Sequence, residues 1–164
     1  MKELVNQLIS DLHELSEIDA TEQDEHSRQM ANSRNAMDDE QTNLLGAVSA
    51  NRSRVRDEIG EGMIREKRRI RAYLSAHEGL MKLSAERSVF DVAQEIGECL
   101  AAWRIATVDH GGMLGGTTPR MTDDPSRIRA RAMERMDQRD AWYADRYRRT
   151  SSALQQALTL AKTL

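Results

Sequence analysis

The sequence predicts an all-α protein: long amphipathic helices with a hendecad-like repeat, forming an elongated helical bundle or coiled coil. Three observations carry this. Both prolines, Pro119 and Pro125, lie late in the chain, so the strongest helix breaker is missing from everything before them. Aromatic residues are 4% of the chain while charged residues are 31%. Rings fill thick cores, so a chain poor in them suits thin seams between helices. Finally, every eleventh residue from Leu4 reads Leu4, Leu15, His26, Met37, Val48, Ile59, Ile70, Met81, Val92 and Trp103, nine of the ten apolar. Eleven residues make three turns at about 3.67 residues per turn, which keeps one face apolar over a long distance.

Residues 1–110 read as one long helical region. The pattern allows a helix from Lys2 to Leu83, roughly 120 Å at 1.5 Å per residue. Gly46, Gly60, Gly62 and Gly79 weaken it by ~1 kcal/mol each relative to alanine. A bend is expected in the polar stretch 19–41 or at 84–88. A second helical segment runs from Ser88 to Val108, where Ser88 followed by Asp91 is a variant of the capping box. Gly111 and Gly112 then open a Gly/Thr-rich linker, residues 111–124, of the composition expected of a flexible connector. The C-terminal Arg-rich helix is expected over 125–164. It starts at Asp124-Pro125, a good N-cap followed by a good first residue. Met136, Tyr143, Tyr147, Leu154 and Leu158 mark its contact face.

Charge is unevenly placed. Residues 1–45 carry three basic and eleven acidic groups, a balance of −8, against a chain total of −3. The remainder is therefore +5, which favours an antiparallel return of the basic C-terminal part onto the acidic N-terminal part, within one chain or between chains.

Chemistry is hard to find. Cys99 is the only cysteine, so no intrachain disulfide or cysteine-based zinc site can form, as expected of a reducing, cytoplasmic setting. No apolar run approaches the roughly 20 residues that span a bilayer, and the N-terminus lacks the apolar stretch of a signal peptide. Glu22 stands four residues before His26, but the matching pair that a di-iron bundle needs is missing. No metal, cofactor or catalytic residue is expected. The glycines of 111–116 are not followed by the Gly-Lys-Ser/Thr of a phosphate loop, and Asp109 with His110 has no nucleophile beside it. His26, polar on an apolar ladder, reads as a residue that sets register or partner choice.

The expected function is that of a non-enzymatic scaffold or adaptor. It would associate with itself, as a dimer or higher oligomer, and with other proteins of an assembly. The interaction stripe is the apolar ladder: Leu4, Leu15, Met37, Val48, Ile59, Ile70, Met81, Val92 and Trp103. One alternative is a coat-type protein lying on an apolar assembly surface such as a gas vesicle, a granule or lipid. Another is a nucleic-acid binder. Ser126 to Arg149 holds eight arginines interleaved with Trp142, Tyr143 and Tyr147, and arginines with rings can contact phosphates and stack on bases.

Overall fold

In the computed structural model the chain is an all-α helical bundle. Residues 1–38, 44–108 and 124–164 are described, with side chains at 1–35, 60–108, 124, 126–127 and 129–164. Four helices form: α1 (Lys2–Asp38), α2 (Leu44–Leu83), α3 (Phe90–Val108) and α4 (Pro125–Ala161). Along α1 the ion-pair partners run backwards on its neighbours: Glu14 pairs with Arg68 and Glu25 with Arg65 of α2, while Glu22 pairs with Arg146 and Arg34 with Asp137 of α4. Both α2 and α4 are therefore antiparallel to α1. Each helix packs on its neighbours in the order α1–α2–α3–α4–α1, with α2 on α3 the loosest contact.

The single rod from Lys2 to Leu83 does not form. The chain has reversed between the end of α1 at Asp38 and the start of α2 at Leu44. It reverses again over 84–89, where the Ser84 N–H and hydroxyl both donate to the Leu80 carbonyl at 2.8 Å. The reason is burial. A lone rod would leave its apolar stripe in water, and helices owe most of their stability to a packed face. Folding back lets Leu8, Leu12 and Leu15 of α1 meet Ala76, Leu80 and Leu83 of α2. Each fully buried leucine contributes about 1.5–3 kcal/mol of transfer free energy.

The core follows a seven-residue spacing, not an eleven-residue one. On α1 the inward positions are Leu8, Leu12, Leu15, Asp19, Glu22 and His26, in alternating steps of four and three. The inward residues of α3 are Ala93, Ile96, Leu100, Trp103 and Thr107, and Leu154, Ala157, Leu158 and Ala161 come in from α4. This is the spacing that keeps a stripe facing its neighbours in a bundle. Of the eleven-residue ladder, Leu15 and Trp103 are buried and Leu4 and Val92 are half-buried. Ile70 and Met81, by contrast, are 44% and 64% exposed. Met37, Val48 and Ile59 lie outside the described side chains. The ladder loses its phase because each reversal lets the next helix choose its own inward face.

The start of α4 is as its sequence implies. Asp124 accepts from the Ser126 N–H at 3.3 Å and from its hydroxyl at 2.6 Å, with Pro125 in the first turn. The residues expected to form the linker lie outside the described residues except at Asp124. So do Asp109 and His110. None of the described helices is long and apolar enough to cross a membrane.

One inequality of length governs the rest. α3 has 19 residues, while α1, α2 and α4 have 37, 40 and 37. At 1.5 Å per residue α3 spans about 28 Å and the others about 55–60 Å. The bundle is four helices thick at one end only. The apolar core sits there, and a layer of charge lies where α3 stops.

Candidate functional site

Two arrangements stand out: a layer of buried charge beyond the core, and a second apolar face on α2.

The charged layer continues the inward ladder of α1. Asp19 is buried and accepts from the indole Nε1–H of Trp103 at 2.7 Å and from Arg69 Nη2 at 3.5 Å. Glu22 lies between two guanidinium groups, pairing with Arg69 and accepting from Arg146 Nη1 at 2.8 Å. Arg146 Nη2 also donates to the Thr107 carbonyl at 3.3 Å, which ties the last turn of α3 to α4. Burial would raise the Glu22 carboxyl, but the charges of Arg69 and Arg146 outweigh it and hold its pKa below the usual range. For Asp19 burial wins over the Trp103 hydrogen bond and Arg69, and its pKa is raised. The guanidinium Nε atoms of Arg69 and Arg146 are buried with no hydrogen-bond partner among the described residues. Such a cluster carries a desolvation cost, so its members constrain which faces meet more than they add stability.

Further from the core, His26 is buried, stacks on Tyr143 with ring centroids 3.8 Å apart, and bonds through Nε2 to Asp140 Oδ1 at 2.9 Å. Arg34 of α1 donates to Asp140 at 2.5 Å and to Asp137 at 2.9 Å. Arg65 pairs with Glu25, and Arg68 Nε donates to Glu14 at 3.2 Å. The acidic first helix thus receives the basic faces of α2 and α4 within one chain. A polar cleft of about 400 Å³ opens here, lined by Glu22, Glu25, His26, Gln29, Arg65 and Tyr143. Among the described residues no group of three His, Cys, Asp or Glu comes together to hold a metal.

The aromatic residues of α4 are half-buried, as is Met136, while Leu154 and Leu158 belong to the core. Its arginines divide. Arg146 faces inward, and Arg148 and Arg149 pair with Asp145.

The second apolar face belongs to α2. Its inner face presents Arg69, Ala72, Ala76, Leu80 and Leu83. On its outer side Met63, Ile70, Leu74 and Met81 are 59%, 44%, 58% and 64% exposed. Together with the exposed Lys67 and His77 they form positions 63, 67, 70, 74, 77 and 81, again steps of four and three. A helix with two such ladders buries one in its own bundle and offers the other outward. The neighbouring edge of α3 adds Phe90, Ile105 and Val108, which are 46%, 66% and 54% exposed. Between α2 and α3 runs a groove of about 510 Å³, lined by Tyr73, His77, Met81, Phe90, Gly97 and Ala101. Gly97 leaves it open, for a Cβ there would meet nothing within 4 Å.

Of the sequence-predicted stripe, Ile70 and Met81 stand on this outer face. Leu15 and Trp103 do not, because they hold the chain's own core together. Sequence reasoning missed Asp19, Glu22, Arg69 and Arg146. The signal was present in α1, where the steps Leu8, Leu12, Leu15 run on into Asp19, Glu22 and His26. Comparison with models of protein families, with curated proteins and with solved structures found no match to this chain.

Proposed function

We propose that this chain is a non-enzymatic helical scaffold that associates with itself and docks other proteins of an assembly through the outer face of α2 and the adjoining edge of α3. The observation that supports the reading is the ladder Met63, Ile70, Leu74, Met81, left exposed although the same helix has a complete buried face. Isolated exposed apolar residues are ordinary. A run of them at helical spacing, beside an open groove, has the form of a helix-docking surface.

Sedimentation equilibrium or light scattering over a concentration series tests this. The expected result is a reversible dimer or higher oligomer that Leu74→Lys converts to monomer without loss of helicity. A chain that stays monomeric at all attainable concentrations, and retains no protein from a native lysate in a Leu74-dependent way, would remove the proposal.

A further inference from the structure

Resting on the self-association reading, we infer that the partner on the outer face of α2 is a second copy of α2, packed antiparallel with Met81 of one copy across from Ile70 of the other.

The ladder allows registers seven residues apart, and the charges on its flank choose between them. In an antiparallel pair a position of the 67, 74, 81 series faces one of the 63, 70, 77 series. Setting Met81 against Ile70 of the copy sets Leu74 against His77 and Lys67 against Ser84. Met81 and Ile70 then cover each other, Leu74 lies along the imidazole of His77, and the lysine meets a small hydroxyl. The same register decides the flank. Arg71 and Glu78 are both exposed, one residue beyond Ile70 and His77 on the side away from α3. Arg71 lies between the Ile70 and Leu74 layers, and in the copy Glu78 lies between the His77 and Met81 layers. These are the same gap. Each Arg71 therefore faces the Glu78 of the other copy, and the twofold axis makes the ion pair twice. Within its own chain Arg71 has no ion pair or hydrogen bond among the described residues. Among the described residues Glu78 holds only the exposed Lys82, at 2.7 Å. A parallel pair would place Lys67 against Lys67, a like-charge contact within the seam.

The other flank agrees. Towards α3 the ladder is bordered by Tyr73 and by the groove over Gly97 and Ala101. The copy's helix has room there, and Phe90 gains cover.

Disulfide trapping tests orientation and register directly. Ile70→Cys and Met81→Cys both replace exposed residues, and the native Cys99 is buried in the core. Under mild oxidation a one-to-one mixture of the two variants is expected to cross-link fast, and either variant alone slowly. Rapid cross-linking of Ile70→Cys with itself, or no preference for the mixture while the wild type is a dimer, overturns the antiparallel register and leaves self-association standing. A wild type that is monomeric overturns both. A second arm reads the charge. Arg71→Glu is expected to weaken dimerisation by about tenfold at low salt, and Arg71→Glu with Glu78→Arg is expected to restore it. Failure of the double exchange to restore a dimer that the single exchange weakens overturns the pairing of Arg71 with Glu78.

Discussion

The indole of Trp103 on α3 donates to Asp19 on α1 at 2.7 Å, joining two helices that stand diagonally across the bundle. Trp103 is 1% exposed and also stacks on Tyr73, with centroids 5.8 Å apart. It closes the apolar core and opens the charged layer with one side chain. Trp103→Phe removes the donor, leaves an Asp19 oxygen unsatisfied and shrinks the ring. We expect a loss of about 2–4 kcal/mol in urea unfolding. Asp19→Asn, which can still accept from the indole, should cost less.

Among the described residues Glu22 is the only carboxylate that pairs with both Arg69 and Arg146. Glu22→Gln leaves two buried guanidinium groups short of counter-charge, and a loss of about 3 kcal/mol is expected by denaturant titration. Replacing all three, Glu22→Leu with Arg69→Met and Arg146→Met, should recover most of that stability. If the triple variant is as weak as Glu22→Gln, the cluster contributes net stability and the physical reading of it is wrong.

His26 gives the fold a dependence on pH. Burial lowers its pKa below 6.5; Asp140 and Glu22 pull it back up, and Arg139 lowers it further. The unfolded chain thus binds a proton in a range where the folded chain does not. Stability is full above the unfolded value of 6.5 and falls as pH drops through it towards the lower folded value. Glu22 and Asp140, held below 4.5 and 3.8, add a separate loss at more acid pH, where each is protonated. Thermal melts between pH 8 and 5 should show a falling Tm, and His26→Gln should flatten that part of the curve alone.

Helix existence, the Asp124 cap and the antiparallel meeting of basic with acidic segments were legible in the sequence because they depend on local chemistry and net charge; that the meeting is within one chain was not. The phase of the core was not. Ile70 and Met81 extend an apolar series that starts at Leu4, yet α1 and α2 are separate helices. The sequence between the two helices, residues 39–43, holds neither glycine nor proline to announce that they are separate. The charged layer was hidden for another reason. Acidic residues three and four apart on a helix ordinarily mark a solvated face, and only the arrival of Arg69 and Arg146 shows that Asp19 and Glu22 point inward.

The two faces of α2 separate stability from association. Leu80 is 5% exposed and Leu74 is 58% exposed. Leu80→Ala should cost about 2–5 kcal/mol in unfolding. Leu74→Ala should change stability by no more than about 0.5 kcal/mol while weakening dimer formation. Equal effects of the two substitutions on unfolding of the monomer would contradict the inward face assigned to α2.

The brevity of α3 leaves this protein with a dry half and a wet half. Amide protons in the half that holds Leu12, Ile96 and Leu154 should exchange only when the whole molecule unfolds, since nothing there opens piecemeal. Amides of α1 beyond His26 are held by contacts that water can replace, and they should exchange by local opening. The Glu22–Arg146 layer, anchored to the final turn of α3, is the boundary at which such opening stops.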